Sequence, residues 1–208
     1  MKRSPSPSRK KRHPVLDATA GEPSTGTGVA IPPSPPPRAP ALETRLATLE
    51  ARVQRLEDEL AIHRQIVRYG LAVDTGDAAE TARLFTEDTV YDVDRSFVME
   101  GRAGVRAMVE GARHRALLPE CAHTIGPALI EIDGERAVAT AYSRIYLHRD
   151  AEFRLLRLSC NRFELERRAG GWQIARRTTR LLGSPGAQEI FRRHLHAPFA
   201  EPDEPTDP

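Results

Sequence analysis

The constraint that most limits this chain's fold lies between Ala122 and Leu182. Four long stretches of strand-like character follow one another there, separated by tight-turn signals. Ala122–Ile132 reaches Asp133-Gly134, Ala137–His148 follows, a turn near Asp150 leads into Phe153–Glu166, and Gly170-Gly171 opens Trp172–Leu182. Asp-Gly between alternating apolar runs favours a two-residue hairpin turn, because both residues tolerate positive φ. An antiparallel meander of this length needs an apolar cover on one face. The sequence supplies it upstream as helices, which argues for an α+β domain.

The helices are legible by period. Ile62, Ile66, Tyr69 and Val73 form one apolar stripe, which Gly76 ends. Asp77-Ala78-Ala79-Glu80 reads as a capping box for a short second helix carrying Ala82, Leu84 and Phe85. Thr89–Val93 is strand-like. Gly104–Arg113 is a third helix with Val105, Met108, Val109 and Ala112 on one face.

Upstream of the first stripe stands a heptad pattern. Leu46, Val53, Leu60 and Val67 fall at a, and Leu42, Leu49, Leu56 and His63 at d. In a parallel pair Arg45 would face Glu50, Arg52 would face Glu57, and Glu59 would face Arg64 of a neighbour, each with opposite sign. Residues 41–67 are therefore expected to self-associate as a dimer or trimer, with the sheet as a second contact. The alternative is one long helix folded back on its own domain.

Residues 1–40 hold seven Lys/Arg against Asp17 and Glu22, in a Ser-Pro and Pro-rich context with almost nothing to bury. They read as a disordered basic tail. The run Arg9-Lys10-Lys11-Arg12 suits an anionic surface, but net charge is only +2, so a nucleic-acid partner is not expected. Residues 60–185 make the globular domain. Residues 186–208 hold an amphipathic helix (Ala187, Ile190, Phe191, Leu195), then Phe199 and an acidic end. That helix is expected over the cavity mouth, on a neighbour, or simply on the surface. No apolar run approaches the roughly 20 residues that span a bilayer. With two cysteines and no CxxC spacing, a reducing cytoplasm is the simplest compartment.

Four polar residues stand where the patterns aim at an interior. Asp74 closes the apolar stripe without helix-capping duty. His123 shares a strand face with Cys121. Asn161 lies with Ser159, Phe163 and Leu165, opposite Cys160, Arg162, Glu164 and Glu166, which read as solvated. His148 shares a face with Tyr142, Arg144 and Tyr146, the more polar and aromatic of two buried-looking faces and so the expected lining of a polar cavity. A buried carboxylate is costly unless paired, and an imidazole is its natural partner.

These features resemble the SnoaL-like, NTF2-like superfamily of cone-shaped α+β domains. The resemblance rests on Tyr69…Val73-Asp74-Thr75-Gly76-Asp77, on Leu84-Phe85-Thr86-Glu87-Asp88-Thr89-Val90-Tyr91, and on Glu100-Gly101-Arg102. It continues with His123 and with Gly170-Gly171-Trp172-Gln173-Ile174-Ala175-Arg176-Arg177. It covers roughly Leu60 to Leu182 and implies a curled antiparallel sheet covered by three helices, preceded here by the long heptad helix.

Within that superfamily the polar residues are most similar to the scytalone dehydratase branch. The resemblance implies that Asp74 holds His123 as base, that His148 assists, and that Asn161 contacts a substrate carbonyl. Hexachlorocyclohexane dehydrochlorinase is similar through the Asp–His dyad. Where the dehydratase carries two water-holding tyrosines, this chain has Val73 and Val93, which leaves Tyr91, Tyr142 or Tyr146 to substitute and Arg144 beside them.

The implied activity is a lyase, dehydratase-like, acting without cofactor on a small cyclic or polyketide-like carbonyl compound. Two His and an Asp also suit zinc or iron, but the resembling enzymes employ them without metal, so none is expected. The strand Trp172–Leu182 is similar as well to dioxygenase β-subunits, which are non-catalytic partners. Isomerases share the fold too.

Overall fold

The structure is a computed structural model that describes residues 39–200. The expected basic tail and acidic end lie outside those residues. The heptad pattern and the apolar stripe merge into one uninterrupted helix, α1 (Ala39–Asp74). Among the described residues no helix is long and apolar enough to cross a membrane.

Gly76, at φ +68, stops α1. Its N–H donates to Val73 O and that of Asp77 donates to Ala72 O, as a left-handed C-terminal glycine permits. Asp77 then caps α2 (Ala78–Arg83) by accepting from the Glu80 N–H at 2.8 Å. Next come β1 (Phe85–Val93), β2 (Phe97–Glu100), α3 (Gly101–Glu110) and α4 (Ala112–Arg115). The third expected helix thus starts earlier and breaks at Gly111, whose backbone is extended. β2 is an additional short strand, too brief to announce itself by alternation.

The expected strand Ala122–Ile132 is two strands, β3 (Cys121–Ile125) and β4 (Leu129–Asp133). Pro127 lies between them and has no N–H to give the ladder. β5 (Arg136–Arg149), β6 (Glu152–Arg168) and β7 (Gly171–Leu181) follow the expected turns within a residue or so, and α5 (Ala187–His196) follows the sheet.

The strands form one seven-stranded sheet in the order β2-β1-β7-β6-β5-β3, with β4 also on β5. All pairings are antiparallel except β1 with β7. This curled mixed sheet with helices is the α+β cone that the sequence implies. The parallel pairing joins elements about 80 residues apart and has no local signature.

The core lies between the helices and the concave face. Ile62, Ile66 and Val73 from α1 pack with Phe85, Phe163 and Ile174 from the strands. Asp58 anchors α1 to the sheet. It accepts from Trp172 Nε1 at 3.2 Å and pairs with Arg167 at 2.5 Å, while the Arg167 guanidinium lies 4.5 Å above the indole.

One face assignment needs correction. Cys160 and Arg162, expected in solvent, are buried. The helix α5 covers that side of the sheet: Ala187 and Ile190 pack on Cys160, and Arg162 Nη2 donates to Pro198 O at 2.6 Å. The helix α5 is thus a cover for the convex face rather than a lid.

Candidate functional site: an Asp–His pair beside an uncompensated arginine

Asp74 sits at the C-terminus of α1, the negative end of the helix dipole and a poor place for a carboxylate. The helix is drawn there by its apolar stripe, and β3 supplies the compensation. The backbone N–H of His123 donates to Asp74 Oδ2 at 2.7 Å, and the His123 ring Nδ1 lies 2.6 Å from Oδ1. Cys121, two residues earlier on the same face, points its Sγ at Oδ1 from 3.7 Å.

An ionised carboxylate only accepts, so Nδ1 of His123 carries a proton. In the neutral ring Nε2 then holds the lone pair, the tautomer of a general base. Burial first, and then the Asp74 charge, push the Cys121 thiol up to about 11, so it stays protonated and donates. Asp74, Cys121 and His123 bring donor-type atoms within 4.8 Å of one another. Here those atoms are hydrogen-bonded to each other through Asp74 Oδ1.

His123 borders a cavity of about 730 Å³, with Tyr69, Tyr91, Met108, His114 and Arg177 among its walls. His114 is a site residue that the sequence reading missed. Its Nε2 lies 2.9 Å from the carbonyl oxygen of Val73 in the last turn of α1, which also accepts from the Gly76 N–H. A carbonyl accepts, so Nε2 is protonated and Nδ1 of the neutral ring is an acceptor. The two imidazoles are 5.9 Å apart between centroids. Helical period carried through Gly111 puts His114 opposite the apolar face; only the break at that glycine turns it inward.

Arg177, also unread in the sequence, is 3% exposed. Tyr91 and Phe163 are its direct cross-strand neighbours on β1 and β6. Its guanidinium carbon lies 4.2 Å from the Tyr69 ring centre, 4.5 Å from that of Tyr91 and 4.9 Å from that of Phe163. The aromatic faces stabilise the cation, yet among the described residues no carboxylate pairs with it. Nη2 and Nε donate to Asn161 Oδ1 at 3.0 and 3.3 Å, and Nη1 has no partner. The Tyr69 phenol is held protonated: burial pushes its pKa well above the ordinary range, and Tyr91 adds to the effect.

The sequence candidates separate into three groups. His123, Tyr91 and Arg144 line the cavity, and Asp74 stands behind His123, which it holds. Asn161, fully buried, stands behind the wall. Its Oδ1 also accepts from Thr179 at 2.8 Å, and its Nδ2 donates to Ser143 Oγ at 2.7 Å, so it orients Arg177 rather than facing the cavity.

His148, Tyr142 and Tyr146 lie on the convex side, contrary to the expected face. Cross-strand partners share a face, and β5 pairs Ala141 with Asn161 and Ile145 with His123. Ser143 and Ile145 therefore point inward. Tyr142 packs on Phe191 of α5 at 4.8 Å, and exposed His148 stacks on Phe153 at 4.4 Å.

The chain belongs to the SnoaL-like domain family, whose model matches residues 54–178. Among solved structures it is similar to an NTF2-like protein with a cystatin-like fold from Novosphingobium aromaticivorans. The two are 37% identical at a TM-score of 0.68, over 70% of this chain and 96% of that one.

A protein proposed to be a scytalone dehydratase, also from Novosphingobium aromaticivorans, is 19% identical at TM-score 0.54, over 61% and 85% of the two chains. The hexachlorocyclohexane dehydrochlorinase from Novosphingobium barchaimii is 16% identical at TM-score 0.55, over 63% and 90%. These last two likenesses concern the fold. No curated protein matches the sequence.

Proposed function

We propose that this protein is a lyase of the dehydratase type, acting on a small cyclic carbonyl compound by proton abstraction. The observation that carries the reading is the Asp74–His123 pair, which leaves His123 Nε2 as a base at a mostly apolar cavity. His123 Nε2 takes the proton from the carbon beside the substrate carbonyl. The C–H electron pair moves onto the carbonyl oxygen, and the cationic guanidinium of Arg177 in the cavity wall stabilises the enolate charge.

As the enolate collapses, the carbon–oxygen bond at the β position breaks, and the imidazolium of His123 returns its proton to the departing hydroxyl, giving water. His114, with Nδ1 as acceptor, orients that hydroxyl beforehand. Asp74 fixes the His123 ring and stabilises the imidazolium, as the carboxylate does in other Asp–His pairs. General base help of this kind contributes roughly 10²–10⁴-fold. The two distant structural neighbours named as a dehydratase and a dehydrochlorinase are compatible with an elimination on this fold.

Hydrogen–deuterium exchange at the carbon beside the carbonyl, followed by NMR on bicyclic β-hydroxy ketones such as 3-hydroxy-1-tetralone, tests the first step. The full chain should accelerate exchange, and His123→Ala should lose about 10² or more of it while keeping the fold. Equal exchange with and without the imidazole would sink the mechanism. Binding of the same ketones with no exchange by the unaltered chain would favour a ligand-binding module instead.

A further inference from the structure

We propose that the exposed seam of α1 joins two copies of this chain in a parallel, in-register coiled coil. The aliphatic a and d residues Leu42, Leu46, Leu49, Val53, Leu56, Leu60 and Val67 are all 49–65% exposed. Leu42 to Val67 runs about 38 Å along the helix. A continuous row of this length on a solvated helix marks a docking surface rather than scattered surface apolarity.

The seam is free to take a partner. At 100° per residue it lies about 140° around α1 from the stripe Ile62, Ile66, Tyr69 and Val73 that packs into the domain. A second helix therefore meets it without displacing the sheet.

The flanking charges identify the occupant as another copy of this chain. Arg45, Arg52 and Glu59 stand at g, and Glu50, Glu57 and Arg64 at e. Among the described residues none of the six side chains makes an ion pair or hydrogen bond within its own chain. By contrast Arg55 and Arg68, off the seam, reach Glu131 and Glu80 of their own domain.

Parallel pairing sets Arg45 against Glu50, Arg52 against Glu57 and Glu59 against Arg64 of the second copy, all of opposite sign. Antiparallel pairing sets g against g and e against e. Arg45 and Arg52 then crowd one flank, and Glu43, Glu50 and Glu57 the other. Leu at three d positions with Val at two a positions suits two strands.

The test is a cross-link on the full chain. Leu49→Cys, at d, should form a disulfide-linked dimer under mild oxidation, because parallel register brings the two Cβ atoms within bridging range. Ala47→Cys, at b, should not. Light scattering should give twice the chain mass, and Leu49→Glu with Leu56→Glu should weaken the dimer at least about a thousandfold by burying unpaired charge in the seam.

Absence of the Leu49→Cys cross-link overturns the proposal whatever the measured mass. So does an equal cross-link from Ala47→Cys, a trimer mass, or a dimer undiminished by the double glutamate variant. None of these outcomes bears on the exchange chemistry of the cavity.

Discussion

At Gly70 the backbones of α1 and β3 come so close that a Cβ would sit 2.3 Å from the carbonyl oxygen of His123. Glycine inside a helix costs about 1 kcal/mol relative to alanine, yet the close approach admits nothing larger. This contact sets the distance at which Asp74 grips His123. Gly70→Ala should push β3 away, destabilise the fold by roughly 1–3 kcal/mol, and weaken the Asp74–His123 bond. Denaturant midpoints, together with loss of a low-field Nδ1–H proton resonance, would check it.

Arg177 is the complementary case, a buried cation without a carboxylate partner among the described residues. Replacing a buried charge by an apolar side chain of similar volume is often neutral or stabilising. Arg177→Met should therefore change stability by no more than about 1 kcal/mol. The same variant should bind 4-nitrophenolate, an oxyanion probe visible by absorbance, about tenfold or more weakly, as a lost hydrogen bond to a charged group implies. Unaltered phenolate affinity would remove Arg177 from the site.

Among the elements, the two faces of β5 and α5 explain most of the misreading. Alternation separates Tyr142, Tyr146 and His148 from Ser143 and Ile145 correctly, but both sets looked buried. The choice between them depends on pairing with His123 and Asn161 across the sheet. Burial of the convex face depends on α5, which docks far from it in sequence.

That docking brings in His194, 3% exposed, whose ring nitrogens find no partner among the described residues. Burial lowers its pKa and Arg162 lowers it further, against an upward pull from Glu131. A His with a depressed folded pKa contributes stability above its ordinary 6.5, and that stability is lost as pH falls towards the folded value. The protection of the amides in 187–196, measured as exchange corrected for the intrinsic pH dependence, should therefore fall as pH drops below about 6.5. His194→Leu should abolish that dependence.

Over the whole molecule, two carboxylates tie distant segments together and set its acid limit. For Asp58, burial alone would raise the pKa, but hydrogen bonds from Arg167 and Trp172 outweigh it and hold the carboxyl below 3.8. Asp94 is lowered likewise: burial opposes, while Arg157 and the Leu181 N–H prevail. Arg157 binds it at 2.7 Å, linking the β1–β2 turn to β6. Groups with depressed folded pKa stabilise above the unfolded value and cease to do so as pH falls through the folded one. Unfolding free energy should thus decline as pH drops below about 4, and less steeply in Asp58→Asn.

The sequence by itself determined that helices precede the sheet, where the hairpin turns fall, the heptad pattern and the Asp74–His123 pair. Each is written in a local period, a turn dipeptide or a motif that resembles a known family. Tertiary structure alone decided that β1 runs parallel to β7, that Asn161 holds Arg177 instead of facing the cavity, and that His114 rather than His148 is the second imidazole there. Period two defines two faces of a strand without saying which is enclosed, and the break at Gly111 rotates α4 by an amount no spacing records. Only closure of the sheet around its helices, a set of contacts between residues far apart in the chain, assigns inside and outside.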